Sequence, residues 1–356
     1  MSDSQQIQGL VEPRVRVSVV GATGYTGAEL LRILVQHPNV ELTRITSRAD
    51  AGSAISKSWP HLEGVLDLRF SAPDLDDIAK NSDLVFFATP HTVAMSMTPA
   101  LIDAGCKVID LSADFRIKDV SVWEKWYDVK HSCPDYIEQA VYGLPELNRE
   151  AIRTAQLIAC PGCYPTAIEL ALIPLLEGDL IETDIIANAA SGVSGAGRQA
   201  KVPGLFAELS DNFKPYGVSG HRHLPEIVQT LNAVSNAAVN LTFAPHLLPI
   251  IRGILATVYC KPKKAGIDWQ SVFEERYANE PFVDVLATGV YPETRSVKGT
   301  NLCKISVQYI EHSGQLCVMS AEDNLTKGAA GQAVQAMNIA YHLPETTGLE
   351  HLALLP

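Results

Sequence analysis

The stretch VRVSVVGATGYTGAELLRIL, at residues 15–34, has the pattern of a strand, a glycine-rich turn and a helix. Val15–Val20 is a short apolar run typical of a buried strand. Gly21-Ala-Thr-Gly24-Tyr-Thr-Gly27 follows, and Ala28–Gln36 has apolar residues at helical spacing. Glycines at such a turn let the backbone approach a pyrophosphate, which the N–H groups of the helix N-terminus bind. The pattern predicts a dinucleotide site; the alternative is a tight turn that binds nothing.

The rest of the first half continues as strands that alternate with helical stretches. The further predicted strands are Val40–Thr46, Leu84–Thr89 and Lys107–Leu111. Strands separated by helices imply crossover connections, and therefore an α/β domain with a parallel, doubly wound sheet. This domain is predicted to span residues 1–160.

After about residue 160, strand-like runs follow one another with few helical patterns between them. A helix is predicted from Pro165 towards Gly178. The predicted strands that follow it are Asp184–Ala190, Leu241–Ala244, Ile254–Tyr259, Phe282–Val285 and Leu302–Gln308. This order predicts an α+β domain with a mostly antiparallel sheet at residues 161–323. The tail, Asn324–His342, has a helical pattern again.

The composition is that of an ordinary globular protein. The 356 residues include 28 Lys and Arg against 40 Asp and Glu, a formal charge of −12 at pH 7, with 47% apolar residues. The acidic balance argues against a nucleic-acid or anionic-membrane surface, and no apolar run approaches the roughly 18 residues of a membrane-spanning helix. Met1–Gln6 has no basic start before an apolar stretch, and the seven dispersed cysteines fit a reducing compartment. A cytoplasmic location is therefore expected.

The segment Ile158-Ala-Cys160-Pro-Gly-Cys163-Tyr-Pro165 carries the clearest chemical signal. A strand ends, Pro161-Gly162 turns the chain, and a helix begins near Pro165. Cys163 is thus predicted just before a helix N-terminus, where the helix dipole stabilises a thiolate and lowers the thiol pKa. It is therefore a candidate nucleophile, whereas Cys160 is expected to be buried at the strand end.

Two other interpretations of the Cys-x-x-Cys spacing stay open. The two thiols form a redox dithiol in one of them, although the segment does not lie in the first βαβ unit. In the other they bind zinc together with His221 and His223, although a second Cys-x-x-Cys is missing.

The segment Gly220-His221-Arg222-His223-Leu224-Pro225-Glu226 is dense in ionisable groups. In an extended conformation His221 and His223 point to the same side, where they could exchange a proton or stabilise an oxyanion. The alternative is a pair of solvated loop histidines. Arg116, after a predicted strand in Leu111-Ser-Ala-Asp-Phe-Arg116, is a candidate clamp for a carboxylate or phosphate.

The end of the second strand bears on the choice of dinucleotide. An acidic residue there would bind the ribose 2′-hydroxyl of NAD, but the chain has Ser47 and Arg48, whose hydroxyl and guanidinium suit a 2′-phosphate. Asp50 lies two residues further, and as an acidic residue it weakens the preference for NADP. The alternative interpretation of Arg48 is a solvated side chain that binds no phosphate. NADP is the predicted cofactor.

Taken together, these segments resemble N-acetyl-gamma-glutamyl-phosphate reductase, a family related to aspartate-semialdehyde dehydrogenase. The resemblance covers nearly the whole chain. The motifs that carry it are GATGYTG at 21–27, ATPH at 88–91, LSADFR at 111–116, YGLPE at 142–146, PGCYPT at 161–166, SGVSGAGR at 191–198, HRHLPEI at 221–227 and NLTKGAAGQA at 324–333. Cys160 departs from the family pattern, which has asparagine before the PGC turn.

The resemblance implies an NADP-binding Rossmann domain that a C-terminal helix, within residues 324–356, completes, with a catalytic and oligomerisation domain between. It implies reduction of N-acetylglutamyl 5-phosphate to N-acetylglutamate 5-semialdehyde in arginine biosynthesis, with phosphate released. In this chemistry the Cys163 thiolate attacks the acyl phosphate, and hydride from NADPH reduces the resulting thioester. A small-molecule substrate, a homo-oligomer (dimer or tetramer) and no nucleic-acid or membrane partner are expected.

The motifs also imply a set of site residues. The catalytic residues are Cys163, His221 and His223, and no metal is expected. The NADP-binding residues are Gly21, Thr23, Gly24, Tyr25, Thr26, Gly27, Ser47, Arg48, Gly195, Asn324 and Gly328. The substrate-binding residues are Arg116, Ser194 and Arg198.

Three other functions stay open at this stage. A sibling enzyme acting on aspartyl phosphate would share the chemistry, and a lysine-pathway reductase would differ only in the group that carries the acyl phosphate. A non-catalytic dinucleotide-binding regulator would keep the glycine turn but have no need of Cys163 beside a helix start.

Overall fold

The computed structural model describes residues 14–355 and contains two seven-stranded sheets. The strands are β1 (Val15–Val20), β2 (Val40–Thr46), β3 (Phe70–Ser71), β4 (Leu84–Phe87), β5 (Lys107–Asp110), β6 (Val141–Tyr142), β7 (Leu157–Ala159), β8 (Asp184–Gly192), β9 (Lys214–Pro215), β10 (Asn240–Leu248), β11 (Ile254–Cys260), β12 (Val283–Val285), β13 (Cys303–Ile310) and β14 (Gln315–Glu322). The helices are α1 (Tyr25–Leu34), α2 (Ile55–Ser58), α3 (Leu75–Lys80), α4 (Ala94–Asp103), α5 (Val120–Tyr127), α6 (Asp135–Gln139), α7 (Pro145–Thr154), α8 (Cys163–Glu177), α9 (Phe206–Leu209), α10 (Leu224–Val234), α11 (Trp269–Tyr277) and α12 (Gly331–Ala340).

The N-terminal segment Met1–Gln6, on which the expected cytoplasmic location partly rests, lies outside the described residues, and that location stays a prediction. Within residues 14–355, none of the helices has the length and apolar character needed to cross a membrane.

The first sheet is parallel throughout and has the strand order β3-β2-β1-β4-β5-β7-β6. The order changes direction between β1 and β4, and ligands of such sheets bind at the carboxyl ends of the strands where that happens. Gly21 directly follows β1 with a φ of +88°, and a Cβ atom on it would lie 2.6 Å from the carbonyl oxygen of Ala88. The predicted Rossmann sheet is confirmed, with the glycine turn at its switch point.

The second sheet has the order β12-β13-β14-β11-β8-β10-β9. Four of its strand pairs are antiparallel, while β8 with β10 and β12 with β13 are parallel. One face packs against α8, α10 and α11, which share a core with alternate residues of β8 such as Ile185 and Ala187. The predicted mostly antiparallel sheet is confirmed. Its strand β14 was not among the predicted strands.

The C-terminal segment returns to the first domain. A π-helical turn at Thr326–Ala330 leads into α12, all of whose residues are buried. Val334 and Met337 of this helix share a core with Val17 of β1 and Leu30 of α1. This placement supports the division into residues 1–160, 161–323 and 324–356, whose boundaries stay a prediction.

Candidate active site

Cys163 is the first residue of α8, and Gly162 before it is the N-cap. The chain reaches this position from β7, the strand next to β5 in the first sheet. The backbone N–H of Gly162 donates to Oε1 of Glu226 at 2.7 Å, which fixes the turn. The predicted placement of Cys163 at a helix N-terminus is therefore found in the structure.

The predicted lowering of the Cys163 pKa is wrong. Burial raises the pKa of this thiol to about 12, and negative charge at Glu322 adds to the effect. The Arg116 guanidinium and the backbone N–H of Tyr164 act in the opposite direction but do not outweigh it. The cysteine is thus a neutral thiol at pH 7, and it needs a base to become a nucleophile.

Gly328 lies against Cys163 rather than at the glycine turn. A Cβ atom on Gly328 would lie 2.9 Å from Cβ of Cys163 and 2.9 Å from Oε1 of Glu322. Gly328 is buried within the π-helical turn. The structure therefore gives it a packing role beside the nucleophile, and a contact with the cofactor stays a prediction.

Cys160 is fully buried, as predicted. Its backbone carbonyl accepts a hydrogen bond from Nε of Arg116 at 2.6 Å, and its N–H donates to the carbonyl oxygen of Asp110 at 2.8 Å. All seven cysteines are free, and residues 14–355 include no group of three or more His, Cys, Asp or Glu side chains arranged to hold a metal ion. These contacts give Cys160 a structural role and offer no support to the dithiol and zinc interpretations.

The histidine segment is a turn that leads into α10, not the extended strand considered above. His223 is the N-cap of α10, and its backbone N–H donates to Nδ1 of His221 at 3.1 Å. The turn nevertheless brings the two imidazoles together, with ring centroids 4.8 Å apart. Tyr164, the residue after Cys163, packs edge-on against both rings, with its ring centroid 5.6 Å from that of His221 and 6.0 Å from that of His223. Both predicted acid–base residues therefore lie beside the start of α8.

Both imidazoles are held in the neutral form. Burial lowers the pKa of His221 to about 4, with a smaller contribution from the positive charge of Arg222. Burial lowers the pKa of His223 still more clearly, and its Nδ1 has no hydrogen-bond partner among the described residues. A Cβ atom on Gly162 would lie 2.5 Å from Nε2 of His223, so this ring lies directly on the turn before Cys163. A neutral imidazole at this place can accept a proton.

Arg116 is nearly fully buried, and protein groups bind its guanidinium. It donates to the carbonyl oxygens of Cys160 and Leu111 at 2.6 and 2.9 Å, and its Nη1 lies 3.5 Å from Oε2 of Glu226. These contacts tie the carboxyl end of β5 to the cysteine turn. The structure therefore places Arg116 next to the site as a positioning residue, and its contact with substrate stays a prediction.

Residue-by-residue reasoning missed a buried hydrogen-bond network beneath the cysteine turn. The Tyr142 hydroxyl lies 2.9 Å from Oε1 of Glu226 and 3.0 Å from Oε1 of Glu169. Burial and the charge of Glu226 raise the pKa of Glu169 well above its ordinary value, which favours its protonated form. The available signal was Glu169 itself, an acidic residue in the middle of the mostly apolar helix α8.

The glycine turn has the shape that a pyrophosphate requires. A Cβ atom on Gly27 would lie 2.7 Å from Cα of Ala22, so the helix can approach the strand only with glycine there. Gly24 is the N-cap of α1, with no side-chain cap, and a Cβ atom on it would meet no atom closer than 3.8 Å. Tyr25 and Thr26 are the first two residues of α1, whose N–H groups point out of this end.

The loop at 191–198 contacts the glycine turn. Arg198 donates to the carbonyl oxygen of Thr23 at 3.0 Å, and its guanidinium lies 4.4 Å from the ring centroid of Trp59. Nδ2 of Asn324 donates to Oγ of Ser194 at 2.9 Å. The structure thus places Arg198, predicted to bind substrate, on the cofactor side of the site. Substrate contacts of Arg198 and Ser194 stay predictions.

Between the loop and α1 lies a cleft of about 430 Å³. It is lined by Tyr25, Arg32, Ser194 and Arg252, among others. Gly195 lies in the 3₁₀ turn that closes this side, where a Cβ atom would approach Oγ of Ser191 to 3.3 Å. Tyr25 and Ser194 bring the first turn of α1 and the loop to this cleft, whereas Gly21, Ser47 and Arg48 do not line it.

The end of β2 has the features expected for a 2′-phosphate. Oγ of Ser47 donates to Oδ2 of Asp50 at 3.0 Å and accepts from the backbone N–H of Asp50 at 3.3 Å. Arg48 is exposed and has no ion pair within the part of the chain that the structure describes. Asp50, the acidic residue that made the choice between NAD and NADP ambiguous, is therefore already hydrogen-bonded to Ser47.

Comparison with known proteins identifies the family. The chain is 57% identical over 346 residues to an N-acetyl-gamma-glutamyl-phosphate reductase of Saccharophagus degradans, covering 96% of this chain and 100% of that protein. A protein of the same name from Cellvibrio japonicus is 57% identical over 348 residues, with the same coverage. The chain belongs to the N-acetyl-gamma-glutamyl-phosphate reductase family. The resemblance seen in the sequence is thereby confirmed.

Two family models match the chain, one over the region of each sheet. The NAD-binding domain of semialdehyde dehydrogenases matches residues 16–155, and their dimerisation domain matches residues 163–324. Aspartate semialdehyde dehydrogenase II from Vibrio cholerae has the same fold, with a TM-score of 0.70 at 19% identity over 92% of this chain and 99% of that one. The aspartate semialdehyde dehydrogenase from Candida albicans, solved with NADP, has a TM-score of 0.66 at 16% identity, covering 92% of this chain and 98% of that one.

Proposed function

We propose that this chain reduces N-acetylglutamyl 5-phosphate to N-acetylglutamate 5-semialdehyde, with oxidation of NADPH and release of phosphate. One observation carries the proposal: Cys163 lies at a helix start beside two neutral imidazoles, in a chain 57% identical to reductases of this name. A dinucleotide-binding regulator would not need this arrangement.

The first half of the reaction uses the residues around Cys163. The thiol proton passes to a neutral imidazole of the His221–His223 pair, because burial prevents the thiolate from forming without a base. The sulfur then bonds to the acyl carbon, the carbon–oxygen bond to phosphate breaks, and phosphate leaves with the electron pair. A thioester on Cys163 remains.

The second half reduces that thioester. The glycine turn and the loop at 191–198 would hold NADPH, which would supply the hydride. The protonated imidazole stabilises negative charge that develops on the substrate oxygen, and a neutral one removes the hydroxyl proton as the thiohemiacetal collapses to aldehyde and thiol. The backbone N–H groups at the start of α8 lie at the same place and add positive potential.

The reverse reaction tests the proposal. N-acetylglutamate 5-semialdehyde, phosphate and NADP are mixed with the enzyme, and absorbance of NADPH is followed. We expect NADPH to form only when phosphate is present, and aspartate semialdehyde to be a far poorer substrate. Equal rates with both aldehydes would instead support the sibling activity, and no phosphate-dependent NADPH would exclude an acyl-phosphate reductase.

We also propose that Arg48 selects NADP over NAD. A hydrogen bond to a charged phosphate contributes on the order of 1.5–3 kcal/mol. Arg48→Ala should therefore weaken NADPH binding by about one to two orders of magnitude and leave NADH binding nearly unchanged. Both affinities can be measured by fluorescence titration, with the exposed Arg14→Ala as a control. A variant that weakens both cofactors alike would assign the 2′-phosphate to another group.

We further propose that the chain forms a homo-oligomer through the open face of its second sheet. Ile186 of β8 and Tyr259 of β11 are paired in register on this face, and they are 48% and 39% exposed. The proposal is supported by the dimerisation-domain model that matches this region. Sedimentation equilibrium should show an oligomer that Tyr259→Glu weakens; a monomeric wild type would exclude it.

A further inference from the structure

Glu322, the last residue of β14, has a fully buried side chain. Neither of its carboxylate oxygens has a hydrogen-bond partner among residues 14–355. An unpaired carboxylate is costly to bury, so such a group is expected to carry a proton or to have a partner that forms during the reaction. The steps described so far do not use Glu322.

The Glu322 carboxyl group and the Cys163 side chain approach the same point. That point is the position of a Cβ atom on Gly328, which lies 2.9 Å from Oε1 of Glu322 and 2.9 Å from Cβ of Cys163. Because Gly328 has no side chain, this point is left unfilled. Negative charge on Glu322 also raises the pKa of the Cys163 thiol, so the carboxyl group lies within electrostatic reach of the sulfur.

The surrounding charges favour the protonated form of this acid. Burial raises the pKa of Glu322 well above its ordinary value, while Lys327 acts in the opposite direction and Asp323, Glu146 and Glu169 add to the increase. The Lys327 ammonium is already bound by Oε1 of Glu146 at 2.6 Å. Asp323 is paired with the Arg252 guanidinium at 2.9 Å. The nearby cation is thus occupied by another carboxylate.

We propose that Glu322, as a neutral carboxylic acid, donates a hydrogen bond to Sγ of Cys163 when the thiolate forms, and so is a further catalytic residue. The inference rests on the proposed function. The S–H bond breaks and its proton moves to an imidazole of the His221–His223 pair, while Glu322 keeps its own proton. The same donor then faces the sulfur as it leaves the thiohemiacetal. A thiolate at this partly buried position is stabilised by such a donor.

Alkylation of Cys163 by iodoacetamide tests the inference without substrate. The full-length chain and its variants Glu322→Gln and Glu322→Leu are treated between pH 6 and 10, and the modified cysteine is located by mass spectrometry. The glutamine amide can still donate to sulfur, so this variant should stay close to wild type at neutral pH. The leucine variant should react about 10–100-fold more slowly there, the factor expected from one hydrogen bond to a charged group.

Two results would overturn the inference. If Glu322→Leu alkylates as fast as wild type or faster, Glu322 is ionised and repels the thiolate. If Glu322→Gln loses reactivity as strongly as Glu322→Leu, while both bind NADPH as wild type does, a neutral hydrogen-bond donor is not what the sulfur needs.

Thermal unfolding separates this effect from a folding defect. Leucine replaces an unpaired buried acid by an apolar side chain, so the Tm of Glu322→Leu should be unchanged or higher. If that variant is unstable, the pH dependence of the glutamine variant is the test. The alkylation rate of wild type should change at the pH where Glu322 ionises, and that of Glu322→Gln should show no such change. A wild-type enzyme without phosphate-dependent turnover would overturn the proposed function, not this contact.

Discussion

At the scale of single residues, Cys163 combines a helix N-terminus with a buried environment. Its place could be predicted because Pro161-Gly162 and Pro165 are local signals. The sign of its pKa shift could not, since the burial comes largely from segments far along the chain, including Gly328 and the end of β14. Local sequence therefore locates the nucleophile, and tertiary contacts decide how it is activated.

Replacement of the two neighbouring cysteines should separate their roles. Cys163→Ser should abolish turnover, because an alcohol at this position is a far weaker nucleophile than a thiolate. Cys160→Ser should keep substantial activity, since the contacts of Cys160 with Arg116 and Asp110 are made by its backbone. The measurement is the steady-state turnover rate of each variant relative to wild type. Equal loss would restore the dithiol interpretation, and zinc bound stoichiometrically to the wild type would restore the metal one.

The two imidazoles should differ in kinetic effect. General acid–base help is worth roughly 10²–10⁴-fold, so His221→Asn should lower kcat by about that factor and leave the chain folded. His223 is the N-cap of α10 and lies on Gly162, so His223→Asn should disturb KM more than kcat. The two parameters are measured for each variant against wild type. A double variant with near-normal rates would remove this turn from the chemistry.

At the scale of elements, the accuracy of prediction follows the strength of the local pattern. Val15–Val20 and Val40–Thr46 are strands at the predicted residues. The first is a mostly apolar run, and the second is rich in β-branched residues. Helix α1 begins at Tyr25, three residues before the predicted start, since the last glycine of the turn is already helical. Strand β14 is buried on both sides, so Gln315–Glu322 lacks the alternation that identifies an edge or surface strand.

A buried ion cluster joins α1 to the end of β14. Oε1 of Glu29 accepts from Nη2 of Arg32 at 2.8 Å and from Oγ1 of Thr326 at 3.0 Å. Arg252 bridges Glu29 and Asp323, at 3.0 Å and 2.9 Å. No local pattern marks Glu29 as special, because its partners lie more than 200 residues away in sequence apart from Arg32.

Replacement of Glu29 should therefore destabilise the contact between the domains. Breaking a buried ion pair costs about 3–5 kcal/mol, since it leaves Arg252 partly unpaired. Glu29→Gln should lower the free energy of unfolding on that order, whereas Glu41→Gln, at an exposed position of β2, should have little effect. Urea unfolding of both variants measures the difference. Equal stability of the two would mean that the cluster contributes nothing net.

At the scale of the whole molecule, the free energy of unfolding should decrease in two steps as the pH is lowered. Burial lowers the pKa of His91 and His221 from 6.5 to about 4. Their contribution to the free energy of unfolding is therefore complete above pH 6.5 and is lost between pH 6.5 and 4. For Glu29, hydrogen bonds from Arg252 and Arg32 outweigh the effect of burial and lower the pKa from 4.5 to about 2. Its contribution is present above pH 4.5 and is lost as the pH falls towards 2.

Thermal unfolding between pH 8 and pH 4 measures the first step. The Tm should decrease below pH 6.5, because His91 and His221 bind protons in the unfolded chain at a pH where they stay neutral in the folded one. A His91→Asn, His221→Asn double variant should show a shallower decrease over the same range. A wild-type Tm that is constant from pH 7 to 5 would contradict the first step.

The position of α12 has a consequence for how the chain is made. The core around β1 is completed by a helix that starts at Gly331, so β1 must wait for a segment synthesised about 300 residues later. Contacts of such large sequence separation form slowly, because a long loop has to close first. Until then the second domain can fold as a unit while the first keeps an apolar surface open. The nascent chain should therefore depend on chaperones more than its size alone would suggest, and its first domain is completed only after α12 has been synthesised.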